Sequence, residues 1–295
     1  KFSKLMKIKI LIPVYNDWES LSKLLDEIDK EIQNIDKAEF HCVIVNDSST
    51  IKTPEIKVPK NISTLQIINM KQNKGHARCN AFGIRHLSKK LDFDHLILMD
   101  GDGEDRPKEI KMLVEKAFSD GEVSVVAKRV KRSEGIFFQM LYQIHKIITL
   151  IFTGKNINFG NYSCLTRNDV KTLSKKESLW CSFSGSVKKH IPNLNTINSI
   201  RGSRYFGPSK MSLFNLIVHS LSIIAVFKVS VFIRAAIFAA IIYILKDQIG
   251  SLLFVTSMTL LIVFSFLIYL ISFREDTKAF LKSDDNVVSI KNYTH

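Results

Sequence analysis

The sequence predicts an α/β fold, with a mainly parallel sheet in its N-terminal part and an apolar C-terminal region. Between Lys9 and Ala127, short apolar runs alternate with helical periodicity and polar loops. Strands that alternate with helices are joined by right-handed crossovers, and such crossovers produce parallel strand pairs. Between Met211 and Phe273 charged residues almost vanish, and the exceptions are Lys228, Arg234, Lys246 and Asp247.

Five predicted strands share one pattern, a short apolar run that ends on polar residues. They lie at residues 9–15, 40–45, 65–68, 95–99 and 123–127. Between the first two, five apolar residues on one face of residues 17–35 predict an amphipathic helix. A second helix is predicted to start near Arg78, and a third near Pro107, because proline favours the first helical turn.

Charge and cysteine usage restrict the partners and the compartment. The 295 residues carry a formal net charge of +14, with 42 Lys and Arg against 28 Asp and Glu. No interleaved basic and aromatic motif of a nucleic-acid binder is present, so the charge favours an anionic membrane leaflet and phosphate-bearing substrates. The four scattered cysteines indicate free thiols in a reducing compartment. No apolar signal region precedes the first strand, so we expect the globular part to stay in the cytoplasm.

An acidic segment, Asp100-Gly101-Asp102-Gly103-Glu104-Asp105, directly follows the predicted strand at 95–99. Open α/β sheets bind ligands at the carboxyl ends of their strands. Two aspartates one residue apart crowd oxygen atoms onto one point, and such ligands suit Mg²⁺ or Mn²⁺. An ion held by few carboxylates completes its shell with substrate phosphates. On spacing alone, an acidic surface loop is an equal alternative.

Four motifs in a fixed order carry a family resemblance. They are Ile12-Pro-Val-Tyr-Asn-Asp17, Val45-Asn-Asp-Ser-Ser49, Asn73-Lys-Gly-x-Ala-Arg78 and Asp100-Gly-Asp102. Together they resemble the catalytic domain of glycosyltransferase family 2, which has the GT-A fold, and the resemblance extends from the first strand to the end of the apolar region. It implies a nucleotide-sugar donor, either a UDP- or a GDP-sugar, and a divalent metal, Mg²⁺ or Mn²⁺.

The resemblance also assigns residues to the donor. The implied nucleotide-sugar contacts are Pro13, Tyr15, Asp17, Asp47, Lys74, Arg78 and Gly101. The implied metal and diphosphate ligands are Asp100 and Asp102, and Asp105 is a further catalytic candidate. Asp17 stands where the family often has Glu. Taken in isolation, Asp47 fits better as a residue that caps a helix or a turn.

Two basic segments are candidates for binding an acceptor. One includes Arg129 and Arg132, and the other runs from Arg201 to Lys210, directly before the apolar region. Arginine forks onto phosphate oxygens and lysine acts as a point charge, although basic runs are often only solvated. An R-x-x-R-x-x-G-x-S-K segment before membrane helices resembles the polyprenyl-phosphate glycosyltransferases, which include the dolichyl-phosphate mannose synthases. The implied acceptor-phosphate ligands are Arg129, Arg132, Arg204 and Lys210.

One segment departs from that pattern. Asn158-Phe159-Gly160 stands where many relatives have Asp-Phe-Arg. The aspartate that would serve as a protein-derived base in this segment is therefore absent, which favours an acceptor that needs no base.

The apolar region predicts a membrane anchor. Gly250 to Phe273 contains about 24 uncharged residues, enough to span a bilayer with some tilt. Residues 229–245 form a shorter candidate span, so we expect a two-helix hairpin over residues 229–273. Met211 to Phe227 carries polar residues on one stripe, which predicts an in-plane amphipathic helix. A buried helical pair of a soluble protein is the alternative.

These observations predict four regions: a cytoplasmic GT-A domain (1–205), an acceptor-binding segment with an interfacial helix (206–228), the hairpin (229–273) and a cytoplasmic tail (274–295). The predicted function is an inverting glycosyltransferase of the cytoplasmic membrane that transfers a sugar from a nucleotide-sugar to a polyprenyl phosphate. Two alternatives stay open, an enzyme that extends a lipid-linked glycan through a hydroxyl group and a non-catalytic membrane scaffold. The sugar, the base and any homo-oligomer are left undetermined by the sequence.

Overall fold

The computed structural model describes residues 5–119, 123–131, 136–207 and 212–295. They contain one mixed sheet whose strands are β1 (Met6–Val14), β2 (Ala38–Asn46), β3 (Ile62–Met70), β4 (His95–Leu98), β5 (Val125–Lys131), β6 (Phe159–Thr166), β7 (Asn195–Ile200) and β8 (Val287–Tyr293). The helices around the sheet are α1 (Trp18–Ile32), α2 (His76–Ser88), α3 (Ile110–Ser119), α4 (Ile136–Thr153), α5 (Arg167–Leu173), α6 (Ser178–Cys181), α7 (Phe183–His190), α8 (Leu213–Ala225), α9 (Lys228–Ile244), α10 (Lys246–Ile249), α11 (Ser251–Ser272) and α12 (Thr277–Leu281).

The strand order in the sheet is β7-β5-β6-β4-β1-β2-β3-β8. The pairs β1–β2, β1–β4, β2–β3 and β5–β7 are parallel, whereas β4–β6, β5–β6 and β3–β8 are antiparallel. The predicted α/β class with a mainly parallel sheet is confirmed. Because β4, β1, β2 and β3 are parallel neighbours, the segments that follow them meet at one edge of the sheet.

Two apolar cores cover the two faces of the sheet. On one face, α1 and α3 pack against the sheet, and the α1 residues that the periodicity placed on one face are all buried: Leu21, Leu24, Leu25, Ile28 and Ile32. On the other face, the core includes residues of α2, α5, α6, α7 and α8. The sheet is therefore buried on both sides, which explains why its central strands are nearly continuous apolar runs.

The C-terminal segment returns to the sheet. Strand β8 pairs antiparallel with β3, with Leu65 opposite Tyr293 and Ile68 opposite Ile290. Before this strand, Phe280 of α12 is buried in the core beside Trp180. Residues that the sequence analysis assigned to a polar tail therefore form one edge of the sheet.

Among the described residues, one helical segment is long and apolar enough to cross a membrane, Ser251–Leu281, which begins with α11. Helices α8 and α9 satisfy the same test only as a pair that is bent by 88°. The helices predicted at 211–227, 229–245 and 250–273 are all present as α8, α9 and α11. A single candidate membrane helix is thus established, and the two-helix hairpin is not.

Candidate active site

The acidic segment after β4 folds into a tight loop that gathers its carboxylates. The Asp105 carboxylate accepts a hydrogen bond of 2.9 Å from the backbone N–H of Asp100. The Asp102 carboxylate accepts one of 3.0 Å from the backbone N–H of Glu104. Gly103 adopts a φ of +89°, which a residue with a Cβ atom rarely adopts. The loop therefore depends on both its acidic residues and its glycine.

Each carboxylate of this loop faces a polar or cationic side chain. Asp100 Oδ1 lies 2.9 Å from His76 Nε2 and accepts a 3.2 Å hydrogen bond from Asn161 Nδ2. Asp105 Oδ1 lies 4.0 Å from Arg129 Nη2. The predicted catalytic aspartates and the predicted acceptor residue Arg129 are therefore brought together at the carboxyl end of β4.

The crowding of these carboxylates changes their pKa values. Burial alone would raise the pKa of Asp100, but the neighbouring His76 and Arg129 hold it below its ordinary value. Burial and the negative charge of Asp100 raise the pKa of Asp102 to about 6 and that of Asp105 to about 8. Raised values of this kind mark a place where additional positive charge is stabilising.

A segment that follows β7 crosses directly over the acidic loop. The backbone N–H of Gly202 donates to Glu104 O at 2.8 Å, and that of Tyr205 donates to Asp102 O at 3.0 Å. A Cβ atom at Gly202 would lie 2.6 Å from Gly103 O, so this close crossing requires glycine. Arg201 forms an ion pair with Glu104, which fastens the crossing further.

Arg204, which lies on this crossing segment, contacts two residues of the predicted donor site. Its Nη1 lies 2.5 Å from Asp102 Oδ2, and its Nη2 lies 2.8 Å from Asp17 Oδ2. The guanidinium is mostly buried. Arg204, predicted to bind the acceptor phosphate, is thus held between two carboxylates that were assigned to the donor.

The loop after β1 supplies the other predicted donor residues. Pro13 is buried at the end of the strand, and Tyr15 is exposed. A Cβ atom at Gly101 would lie 3.1 Å from Pro13 O, so the acidic loop packs tightly against this strand. The exposed Tyr15 side chain is therefore open to a ligand.

Asp47 fixes the start of α2. Its two carboxylate oxygens accept hydrogen bonds of 2.8 Å from the backbone N–H groups of Lys74 and Gly75. Gly75 adopts a φ of +88°, and the next residue, His76, contacts Asp100. The N-terminal turn of α2 therefore lies between Asp47, after β2, and Asp100, after β4.

Two of the predicted donor residues, Lys74 and Arg78, lie beside this turn. Lys74 Nζ donates to Gln72 Oε1 at 2.8 Å. The guanidinium of Arg78 lies 5.7 Å from the centre of the Trp180 ring. Together with Asp47 they line a cleft of about 400 Å³.

The predicted acceptor residues divide into two sets. Arg129 and Arg204 reach the acidic loop, as described above. Gly160 lies in the segment that differs from the family pattern. A Cβ atom at Gly160 would lie 2.7 Å from Arg129 Nη2, so the glycine leaves room for Arg129. The other two predicted residues, Arg132 and Lys210, lie outside the described residues.

The oxygen ligands offered by Asp100 and Asp102 fit a divalent ion that is shared with a substrate. Asp100 and Asp102 offer hard oxygen ligands. Burial and the charge of Asp100 raise the pKa of Asp102 even though Arg204 lies beside it, so a divalent ion would add stabilising positive charge there. In the described part of the chain, no group of three His, Cys, Asp or Glu side chains is arranged to hold a metal alone. An ion bound here would therefore need further oxygen ligands, which a diphosphate provides.

Sequence reasoning missed two polar residues of the site, His76 and Asn161. His76 occupies the position that the motif Asn73-Lys-Gly-x-Ala-Arg78 leaves unspecified. The signal that could have identified His76 is that it lies inside a motif which the resemblance assigns to the donor. Asn161 follows Gly160 in a strand that was not predicted, so no sequence signal placed it near Asp100.

Comparison with known proteins identifies a family. The model of the family described as Glycosyl transferase family 2 matches residues 9–183, more than half of the chain. Two similar bacterial proteins are named undecaprenyl-phosphate 4-deoxy-4-formamido-L-arabinose transferase. The one from Photorhabdus laumondii is 25% identical over 226 residues, which cover 73% of this chain and 66% of that protein. The one from Proteus mirabilis is 28% identical over 167 residues, which cover 56% and 49%. The chain thus spans about half to two thirds of their length.

Solved structures with a similar fold include two proteins in complex with a UDP-sugar. S. aureus TarS 1-349 in complex with UDP-GlcNAc has a TM-score of 0.50 and 16% identity, and the match covers 80% of this chain and 71% of that one. Glucosyl-3-phosphoglycerate synthase from Mycobacterium tuberculosis, in complex with Mn²⁺, UDP-glucose and phosphoglyceric acid, has a TM-score of 0.50 and 13% identity, with 77% and 80% coverage. At these identities the similarity concerns the fold, and the expected GT-A architecture is confirmed.

Proposed function

Because the chain belongs to glycosyltransferase family 2, we propose that it transfers a sugar from a nucleotide-sugar to a polyprenyl phosphate. Its curated relatives are named for transfer to undecaprenyl phosphate. The donor class follows from the family and from the motifs after β1, β2 and β4. The sugar and the base of the donor are left open.

One observation carries this proposal: carboxylates and guanidinium groups converge on the same small volume at the sheet edge. Asp100 and Asp102 provide the acidic half, and Arg129 and Arg204 provide the basic half. A reaction between a metal-bound diphosphate and an acceptor phosphate needs both halves side by side. An enzyme that joins two neutral groups would not need the arginines.

The proposed reaction is a single displacement. A phosphate oxygen of the acceptor forms a bond to the anomeric carbon of the sugar, while the bond from that carbon to the diphosphate oxygen breaks with its electron pair. This inverts the configuration at the carbon. Asp100 and Asp102 would hold a divalent ion, Mg²⁺ or Mn²⁺, which supplies positive charge to the departing diphosphate. The arginines orient the acceptor and offset its charge.

The contacts of the two candidate bases favour a phosphate acceptor over a hydroxyl acceptor. A hydroxyl group needs a general base, and Asp105 and Glu104 were the candidates. Asp105 is buried and accepts a hydrogen bond from the backbone of Asp100, while Glu104 pairs with Arg201. Both carboxylates thus have structural partners. A phosphate, with a second pKa near 6, is largely ionised at neutral pH and needs no such base.

The same proposal includes a membrane anchor with the catalytic domain in the cytoplasm. Helix α4, which packs against α8 and α9, exposes one apolar stripe: Met140, Ile144, Ile147, Leu150 and Ile151. Helix α8 likewise exposes Leu213, Phe214 and Ile217. We place both helices in the bilayer surface, with α9 and α11 as the two spans of a hairpin over residues 229–273. The basic residues after the second span then stay on the cytoplasmic side, as is usual for membrane proteins.

An acceptor panel tests the proposal. The protein in detergent is incubated with radiolabelled UDP- and GDP-sugars, a divalent ion, and either undecaprenyl phosphate or undecaprenol, which has a hydroxyl in place of the phosphate. We expect label in the organic phase with the phosphate and none with the alcohol. Equal transfer to the alcohol, or transfer to neither acceptor, would overturn the proposed acceptor class.

A further inference from the structure

The cleft of about 400 Å³ beside α2 has two walls of different origin. One wall contains Asp47, Lys74 and Arg78, which the family resemblance assigns to the donor. The other wall comes from the C-terminal segment between α12 and β8, including Lys282, Ser283 and Asp285. That segment lies more than ninety residues beyond the end of the family match at residue 183, so the family motifs say nothing about it.

Several contacts fix the second wall firmly to the catalytic domain. Asp284 forms ion pairs with Arg85 of α2 and with Lys89, the residue that follows this helix, the latter at 2.7 Å. Asn286 O accepts from the backbone N–H of Lys71 at 2.6 Å, and the Asn286 side-chain amide both accepts from and donates to the backbone of Gln72, at 3.1 and 3.0 Å. Because of these contacts, the segment is part of the rigid framework of the cleft.

A hydrogen-bonded series also connects this edge of the sheet to the donor loop. Asn46, the neighbour of Asp47, donates from Nδ2 to Asn69 Oδ1 at 2.8 Å. Asn69 in turn donates from Nδ2 to Ser289 Oγ of β8 at 3.0 Å. The position of the Asp47 loop is therefore tied to the strand that continues the second wall.

Two polar atoms in the walls are buried and have no hydrogen-bond partner within the described part of the chain, Arg78 Nε and Ser283 Oγ. A buried donor without a partner is costly, and such atoms usually meet a ligand or a water molecule. Arg78 belongs to the first wall and Ser283 to the second. A ligand between the walls would satisfy both.

The neighbouring groups identify which part of a nucleotide-sugar fits here. Gly75 contacts Asp47 in the cleft wall, and the next residue, His76, contacts Asp100 in the acidic loop, so the start of α2 connects the cleft to the metal loop. Neither Asp100 nor Asp102 lines the cleft. The diphosphate belongs at the acidic loop, and the cleft therefore receives the opposite end of the donor, its nucleoside.

We infer that the C-terminal segment forms the outer wall of the nucleoside pocket, with Ser283 and its neighbours Lys282 and Asp285 as contacts that determine which base is accepted. This inference rests on the proposed function and adds to it a specificity element that lies outside the family motifs. The volume of the cleft falls within the range of about 300–1,000 Å³ that is typical of small-molecule sites.

The test measures binding of UDP, GDP and inorganic pyrophosphate to the full-length protein in detergent with Mn²⁺, by isothermal titration calorimetry. Ser283→Ala is the most informative variant, because it removes a buried hydroxyl that has no protein partner and so leaves folding intact. Lys282→Ala and Asp285→Ala test the exposed part of the wall. Lys278→Ala is the matched control, since Lys278 lies in the preceding helix α12 and does not line the cleft.

We expect the three wall variants to weaken the binding of at least one nucleoside diphosphate by about tenfold and to change the UDP-to-GDP preference. Pyrophosphate affinity should stay at the wild-type value in Ser283→Ala, and Lys282→Ala should change it no more than the control does. Unchanged nucleotide affinities, or equal losses for nucleotide and pyrophosphate, would overturn the inference.

Sugar transfer by the wild-type protein is measured in parallel. A wild type that binds no nucleotide and transfers no sugar contradicts the proposed function, whereas active transfer with unaltered wall variants contradicts this inference alone.

Discussion

The guanidinium of Arg204 lies 2.5 Å from the carboxylate of Asp102, and the sequence motifs assign these two residues to different substrates. Asp102 belongs to the motif that is expected to bind the metal and the diphosphate, and Arg204 to the segment that is expected to bind the acceptor. The same guanidinium also contacts Asp17. In the protein without substrates, a cationic side chain therefore compensates the carboxylate that a divalent ion would bind.

The first prediction concerns Arg204→Ala. The variant should lower kcat/KM for the polyprenyl phosphate by about tenfold or more, because a charge-assisted phosphate contact is worth roughly 1.5–3 kcal/mol. It should also raise the affinity of the nucleotide-free protein for Mn²⁺, since Asp102 loses its competing cation. Steady-state kinetics and Mn²⁺ titration measure the two effects.

Two further variants check that result. Arg204→Lys should restore acceptor use only in part, because a point charge cannot reproduce the two-oxygen contact of a guanidinium. Arg167→Ala removes an arginine that pairs with Asp94, away from the acidic loop, and should leave both measurements at wild-type values. A fall in Mn²⁺ affinity in Arg204→Ala would contradict the proposed competition.

The second prediction concerns His76, which contacts Asp100 at 2.9 Å. His76→Ala removes the hydrogen-bonding partner that orients this carboxylate, and we expect kcat/KM to fall by about tenfold. His41→Ala is a suitable control, because His41 contacts Thr64 on the sheet and not the acidic loop. Wild-type kinetics for His76→Ala would show that Asp100 is held adequately by Asn161.

The acidic site was predictable from the sequence because its signal is local. Asp100 and Asp102 are adjacent to a strand, and a strand end fixes where they lie. The pairing of Asp102 with Arg204 was not predictable, because it depends on a crossing of two loops that are about a hundred residues apart. His76 was overlooked because the motif treats its position as variable.

The C-terminal strand β8 shows that long-range contacts limit the prediction of the fold as well as of the site. Residues 287–290 alternate half-buried and exposed positions, and Val287–Tyr293 contains three β-branched residues, which is a strand signal. The sequence analysis gave it no element because the segment follows an apolar helix and is largely polar. Its partner β3 lies more than two hundred residues earlier, and no local rule connects them.

The third prediction tests the docking of this tail through pH. Burial would raise the pKa of Asp284, but hydrogen bonds from Lys89 and Arg85 hold it below its ordinary value. A carboxyl with a lowered pKa in the folded protein stabilises it above the unfolded pKa, and this contribution is lost as the pH falls through the folded pKa. Asp284→Asn should therefore lower the thermal midpoint at neutral pH and reduce its drop in acid.

For a pair of this exposure we expect a loss of about 1 kcal/mol, or roughly 2–4 °C in Tm. Thermal melts between neutral pH and about pH 3 measure it. The exposed Asp36 provides the control, and Asp36→Asn should melt like the wild type at every pH. Identical curves for Asp284→Asn and the wild type would show that the ion pairs do not hold the tail.

The fourth prediction separates the anchor from the tail. Lys228 Nζ and Glu275 Oε2 lie 2.5 Å apart, so the two ends of the apolar helical region between them are neighbours. Replacing residues 229–274 with about five glycine and serine residues, which reach roughly 17 Å when extended, should rejoin them. We expect this variant to bind nucleotide but to transfer poorly to polyprenyl phosphate in bilayers.

Truncation at residue 228 is the instructive comparison. It removes β8 and the buried Phe280 as well as the apolar helices. This shorter chain should therefore be unstable, because an edge strand and a core side chain are lost together. If both variants transferred to bilayer-embedded acceptor at the wild-type rate, the proposed role of the anchor would be wrong.

The central claim is metal-dependent transfer to a lipid phosphate at the acidic loop, and Asp102→Asn tests it most directly. Wild-type protein and this variant are incubated with radiolabelled nucleotide-sugar, undecaprenyl phosphate and Mn²⁺ or Mg²⁺, and label is counted in the organic phase. The wild type should transfer label only when the ion is present. The variant should lose nearly all transfer while keeping its fold, because a charged metal contact contributes several kcal/mol to the transition state. Wild-type turnover by Asp102→Asn would contradict the assignment of this loop.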